Sequence, residues 1–395
     1  IPGLSKINDG AYFLEDKLVR AFNRYLFHIK DELVPTAGSG DTSYGWAQLF
    51  TYLLIALAGS IIWSLADRVH KQYDRWEYWL KILLRYYIAL VSFSYGTVKI
   101  FALQMPFPGL SALATPLGDY LPMRFSWMFI GYSFSYQFFS GVMEMLTGIF
   151  LINRKTALLG ALLGAGVYAH VFILNMSYDI PVKIFSFQML ICCLYLVWCD
   201  RTRVMNFFFF NRAVDKDHSY DLALSKKWQR YLRIGGKIIF ILLFALLPLW
   251  GSWKEYHQEQ EGRQYSTFIP AWYKVTQFVM NHDTLTAADS LRWQDIIFDN
   301  AFAGSIQGHY PSFRPRYGRE YFTMQPDTIK KEIRFLAHFG DTTGLFTLSY
   351  LQPDLDHLIL QGKMKSDTVY MELIRNTHHF QLADKQFHWL TEQIR

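Results

Sequence analysis

The stretch TALLGALLGAGVYAHVFILNMSYDIPVKIFSFQMLICCLYLVWCD, residues 156–200, decides the fold. It holds two apolar runs, 156–177 and 182–199, parted by a short segment in which Pro181 follows Asp179 by two residues. A helix crossing the hydrocarbon of a bilayer needs about 20 mostly apolar residues, so the pair reads as two spanning helices joined by a tight turn. Runs of the same character lie near 46–66, 79–104 and 126–152. A further run, 234–250, is interrupted by Lys237, whose long stem can carry its charge to the interface. The expected class is a membrane all-α helical bundle of about six visible spans, occupying residues 46–251.

Composition agrees with a bilayer as solvent. Apolar residues make up 51% and aromatic residues 18% of the chain, gathered into runs rather than spread in the amphipathic pattern of a soluble fold. The net charge of +6 comes from Lys and Arg placed between those runs, with no zinc-finger, RRM or helix-turn-helix signature, so the expected partner is the lipid bilayer and not nucleic acid. Walker, GxGxxG, GxSxG and HExxH motifs are missing, which removes the common nucleotide, hydrolase and zincin readings. Cys192, Cys193 and Cys199 share one apolar run, form no CxxC pair and read as small buried residues.

Basic residues set an orientation. Arg68, Lys71 and Arg75, then Arg154 and Lys155, then Arg201, Arg203, Arg212, Lys216, Lys226, Lys227, Arg230 and Arg233 fill alternate connections, whereas 105–125 and 178–181 offer only Arg124. The positive-inside rule makes the basic connections cytoplasmic and residues 1–45 and 252–395 extracytoplasmic. An outer N-terminal segment calls for a translocation signal upstream of Ile1. Residues 11–34 place apolar side chains at helical spacing with charges between them, as an interfacial helix does, and 35–41 breaks it.

The last third has another texture. Residues 344–351, 357–364 and 369–374 alternate as strands do, with 365–368 a hairpin connection, so 252–395 is expected to form a β-meander or small barrel. Asp354-Leu-Asp-His357 has metal-ligand residue types but opens a strand after Pro353, and reads as a turn; no metal is expected.

Ionisable groups in hydrocarbon cost a few kcal/mol each and face partners within the bundle. Cα heights at ~1.5 Å per residue put Arg85 and Glu144 in the cytoplasmic half, as an expected ion pair. They put Lys99, His170, Asn175, Tyr178, Asp179 and Lys183 toward the outer mouth, with Tyr95 one turn below Lys99. The inner pair is compatible with a structural bridge or a functional one. The outer cluster is compatible with a polar headgroup site, a proton relay or a network anchoring helix ends. Gly160, Gly164 and Gly166 are expected to serve close helix packing, and Tyr132, Tyr136 and Tyr168 to be core or interface aromatics.

Arg85-Tyr-Tyr, Tyr95-Gly96 with Lys99, Gly141 with Glu144 and Gly148, Arg154-Lys-Thr, and Asn175-x-x-Tyr-Asp-x-Pro-Val-Lys183 together resemble the DoxX-like family of bacterial membrane proteins. The resemblance covers about 81–200, roughly a third of the chain, and the layout with a β-rich tail resembles the long DoxX-like proteins of Bacteroidetes. His170 stands where that group more usually has a small polar residue. The family's four-helix core is similar to the large subunit of thiosulfate:quinone oxidoreductase and, more distantly, to the membrane part of vitamin K-dependent carboxylases. The resemblance implies quinone-linked or thiol-linked redox work, with a quinone-like isoprenoid as cofactor. Lys99, Asn175, Tyr178, Asp179 and Lys183 would surround its head, and Arg85 with Glu144 would support it. A scaffold presenting its β-domain to another envelope protein is the alternative, and a small transporter is disfavoured by the gap between the two polar layers.

Overall fold

The computed structural model describes residues 2–35, 40–68, 73–214, 220, 222, 226–264, 270–338, 340–341 and 344–384. Lys71, Lys216 and residues 36–39 of the expected breaker lie outside the described residues. The helices are α1 (Pro2–Phe22), α2 (Ser43–Ala66), α3 (Asp74–Ile100), α4 (Leu110–Leu113), α5 (Pro122–Tyr132), α6 (Phe134–Ile152), α7 (Ala157–Ser177), α8 (Lys183–Cys199), α9 (Arg201–Phe208), α10 (Lys227–Ile241) and α11 (Leu247–Gln264). The chain forms two compact units, Ile1–Ile100 with Phe138–Leu249 and Phe101–Gln137 with Trp250–Arg395.

Among the described residues four helices are long and apolar enough to cross a membrane: α2, α6, α7 and Lys227–Gln258. The last runs through α10 and a π-helical turn, Leu242–Leu246, into α11. The pair α8 and α9, bent by 76°, passes the same test only when taken together, as a broken span or a re-entrant loop. One expected span falls outside this set and another is broken. The run 79–104 is part of α3, whose Asp74, Arg75, Glu77, Lys81, Arg85 and Lys99 make it a mixed helix. The run 126–152 is broken at Ser133, whose extended backbone (φ −106°, ψ 103°) separates α5 from α6 and whose Oγ accepts the Tyr136 N–H, as helix-capping serines do. The helix expected over 11–34 is α1, which begins earlier, at Pro2, continues as a π-helical turn, Asn23–Phe27, and ends short of 34, at His28 in the left-handed conformation (φ 54°).

In the first unit α3 and α6 run antiparallel at backbone contact, because a Cβ on Gly96 would lie 2.9 Å from the Gly141 carbonyl oxygen. Ile88, Phe93, Leu151, Met189 and Cys193 fill the space between helices. On α7, Gly160 and Gly164 meet neighbours in this way, but a Cβ on Gly166 would meet nothing within 4 Å, so its expected packing role is corrected.

The second unit is a closed eight-stranded antiparallel barrel. Its strands are β1 (Ala271–Met280), β2 (Asp283–Thr284), β3 (Asp295–Phe298), β4 (Ala303–Gln307), β5 (Arg314–Arg316), β6 (Arg319–Asp327), β7 (Glu332–Leu336), β8 (Phe346–Leu351), β9 (His357–Met364) and β10 (Asp367–Arg375). Pairing runs β1-β3-β4-β6-β7-β8-β9-β10 and back to β1, with β2 and β5 appended to β1 and β6. The period of two turns Leu358 and Leu360, and Val369, Met371 and Leu373, into a core they share with Trp293, Phe322, Phe335 and Phe346. Tyr310 and Phe313, from the loop before β5, complete that filling. Met364 pairs with Asp367, so the expected connection 365–368 shortens to Lys365 (φ 59°) and Ser366.

Residues 101–137, expected within the bundle, belong to this unit. Outside the barrel wall Asp295, Ser305 and Arg319 are buried under them. Arg319 binds Asp295 at 2.5 Å and donates through Nε to Ser305 Oγ at 2.8 Å; Ser305 donates to Ser111 Oγ at 2.7 Å. The Ser111 N–H donates to Asp299 Oδ1 at 2.8 Å. Burial pushes the Asp299 carboxyl above the usual range, and its bonds from Ser111 pull it back in part.

Candidate functional site

The buried charge of the bundle sits between α3 and α6. Lys99 donates through Nζ to Glu144 Oε1, and the two side chains are 10% and 2% exposed. The expected partner of Glu144 was Arg85, and this is corrected. Arg85 instead donates through Nε to the Leu151 carbonyl at 2.7 Å and through Nη2 to the Ile152 carbonyl at 2.9 Å. Two physical effects explain the exchange. The last carbonyls of a helix have no partner within it and attract a cation, which draws Arg85 to the end of α6. Side chains on a helix lean toward its N-terminus, so Lys99 reaches back about a turn and its ammonium meets Glu144, merging the two expected polar layers.

Glu144 Oε2 is buried and has no hydrogen-bond partner among the described residues. Around it the bundle is polar but internally satisfied. The hydroxyls of Ser92 and Tyr168 lie 2.8 Å apart, and Thr147 Oγ1 donates to the Met143 carbonyl at 2.9 Å. Tyr168, expected to be a core aromatic, is buried within electrostatic reach of Glu144. The arrangement leaves one carboxylate oxygen able to accept a proton or a hydrogen bond in a buried position.

The expected outer cluster is divided. Asn175 donates to the Val182 carbonyl at 3.2 Å and Ser186 Oγ at 3.0 Å, closing the α7–α8 corner. Asp179, in the left-handed conformation (φ 50°) and exposed, pairs with Lys183 at 2.7 Å. Tyr178 is half-buried at the end of α7, and His170 is exposed on that helix's outer face. Tyr95 packs against Phe185, ring centroids 6.1 Å apart. Lys99 thus stands apart from the corner with Glu144.

Asp41 was missed by sequence reasoning. Its carboxylate accepts from the Lys183 N–H at 2.7 Å and the Ile184 N–H at 2.9 Å, capping α8 from 142 residues away. No spacing rule links such positions.

Two cavities flank the bundle's polar groups. One of about 390 Å³ opens between α2 and α8, with Tyr44, Gln48, Tyr52, Phe185 and Gln188 on its walls. Another of about 290 Å³ is walled by Glu77, Lys81, Arg85, Arg154, Cys199 and Asp200. In the barrel unit, Asp354 Oδ1 accepts from the backbone N–H groups of Asp356 and His357 at 2.8 Å each, and the His357 side chain holds the Asp354 carboxyl below the usual range. That string is a turn.

Over 126 residues the chain is 31% identical to the uncharacterized protein YwoB of Bacillus subtilis (strain 168), a match spanning 31% of this chain and 79% of that protein. The chain belongs to the family of YwoB. No family model and no solved structure matches it. The relative's name states no activity, so a functional reading rests on the site.

Proposed function

We propose that this is an inner-membrane, DoxX-like and redox-associated protein whose helix bundle holds the head of a quinone-like lipid beside Lys99 and Glu144. The observation that carries the reading is the buried Lys99–Glu144 pair with Glu144 Oε2 unpartnered among the described residues. Buried polar groups are nearly always satisfied, and an exception points to a ligand, a water or a proton-transfer role. Quinone and quinol interconvert by taking up or releasing electrons and protons together. A lysine ammonium suits the quinone oxygen as donor, and the adjacent carboxylate suits the proton. The cavity between α2 and α8 is the proposed lateral access, since Phe185 on its wall packs against Tyr95, one helical turn before Lys99.

In this reading Asn175, Tyr178, Asp179 and Lys183 shape the corner that fixes α7 against α8, and Arg85 secures the end of α6. The test is lipid extraction and mass spectrometry of protein purified in mild detergent, comparing wild type with Lys99→Met/Glu144→Leu. Quinone retained by wild type and lost severalfold from the double variant is expected. Equal quinone content in both, or none in either, refutes the reading.

One observation favours a second role for the barrel unit. Its interior is filled by side chains, so whatever the unit recognises meets its outer surface. A scaffold presenting that surface to another envelope protein is the alternative. An envelope protein that co-purifies equally with wild type and double variant, without quinone, would favour it.

A further inference from the structure

A cavity of about 730 Å³, within the range of small-ligand sites, lies in the second unit. Phe107, Leu113, Leu117, Met128 and Phe129 wall it, with Leu382 from the segment after the barrel. Three of its polar wall residues are turned to internal use. Tyr120 donates its hydroxyl to the Ala112 carbonyl at 2.5 Å, Thr115 donates to the Ser111 carbonyl at 2.8 Å, and Ser133 Oγ accepts the Tyr136 N–H at 3.2 Å. What remains to face a ligand is chiefly hydrocarbon and aromatic ring. Such a wall recognises a chain, and offers little to a charged or hydrogen-bonding head.

Chain continuity says where that ligand comes from. Leu121 at the N-cap of α5 and Phe125 and Phe129 on it recur every four residues and are all exposed, giving one apolar stripe along an 11-residue helix. That length is too short to cross a bilayer but suits a helix lying in its surface. A single residue, Ser133, separates α5 from α6, one of the membrane-length helices, whose first residue Phe134 is also exposed. The chain thus passes from α5 directly into a helix long and apolar enough to span a bilayer. We infer that α5 lies in the membrane surface and that the cavity beside it takes an acyl chain of a bilayer phospholipid. This rests on the membrane placement proposed above, not on the quinone.

The experiment places the full chain in phospholipid nanodiscs doped with a phosphatidylcholine that carries a diazirine at the acyl-chain terminus, or in its headgroup. Photolabelled peptides are then mapped. The chain-terminal probe is expected to label residues 107–136, the headgroup probe to label them severalfold less, and Leu113→Trp and Met128→Trp, tested singly, each to reduce the chain-terminal labelling severalfold. Exposed Ile238 and Ile239 of α10 serve as an internal reference for lipid contact. Labelling of α10 without labelling of 107–136 overturns the cavity assignment while leaving the membrane placement intact. Failure of both overturns the placement and the inference together. A diazirine-bearing isoprenoid that labels 107–136 when the acyl probe does not overturns the choice of chain. The two probe positions on wild type need no variant, so a misfolded substitution does not decide the matter.

Discussion

Replacing Lys99 with Met would leave Glu144, 2% exposed, in the bundle without its counter-charge. Breaking one side of a buried pair costs about 3–5 kcal/mol, whereas replacing both sides with apolar residues of similar volume is neutral or stabilising by roughly 1–4 kcal/mol. The single-variant cost has a ceiling, because the carboxylate can take a proton from solvent, which at pH 7 costs about 3.7 kcal/mol for a glutamate of ordinary acidity. Lys99→Met is therefore expected to lose about 3–4 kcal/mol at pH 7, and the loss shrinks by about 1.4 kcal/mol for each unit the pH is lowered toward 5. Glu144→Leu should cost less, about 1–3 kcal/mol, because Lys99 stands one residue from the end of α3 and its long stem can carry the ammonium outward. Lys99→Met/Glu144→Leu should return to within about 1 kcal/mol of wild type. Equilibrium unfolding of the full chain in mixed micelles with an ionic detergent, run as a double-mutant cycle, measures all three. A Lys99→Met loss below about 1 kcal/mol, with a double variant equal to the sum of the singles, would mean that the carboxylate faces water and that the pair is not the bundle's buried charge.

Two further predictions concern local structure. Asp299 is pushed up by burial, so the fold holds its proton at pH values where the unfolded chain has released it; stability from this group is full below about pH 4 and is lost as pH rises toward the folded value. Asp299→Asn keeps an oxygen for the Ser111 N–H and does not titrate, so thermal unfolding across that window should show wild type falling relative to the variant as pH rises; parallel curves would refute the assignment. On α7, Gly164→Ala should cost about 1–3 kcal/mol by overpacking, since its Cβ would lie 2.9 Å from both Cys193 Sγ and Thr147 Cγ2. Gly166→Ala, with nothing within 4 Å, should be neutral or stabilising by up to about 1 kcal/mol, and the two variants measured side by side in one detergent must differ in that order.

How far the sequence alone could reach depends on where each residue finds its partner. The alternation in β9 and β10 was readable because each side chain's face follows from the residue's own position, and the barrel's last hairpin came out two residues tighter than expected. The break at Ser133 was not readable, because no Pro marks it, Gly131 two residues earlier lies inside α5, and Ser133 is set apart only by the cap it makes. The placing of residues 101–137 with the barrel depends on Ser111 meeting Ser305 and Asp299, nearly 200 positions later.

The candidate site divides along the same line. Every residue singled out for chemistry was polar in an apolar setting, yet Arg85 and Asn175 spend that polarity on backbone carbonyls of Leu151, Ile152 and Val182, groups that every residue carries and no pattern marks. Lys99 was the readable exception: the lean of helical side chains toward the N-terminus, applied before comparing heights, brings its ammonium to the level of Glu144. What makes a buried polar group a functional candidate is the bonding capacity left after such local uses. Glu144 keeps one carboxylate oxygen after its pairing with Lys99, whereas Asp41 spends its carboxylate on the first amides of α8. That remainder exists only once the chain has folded, which is why two acids of similar chemistry in this chain have opposite standing as sites.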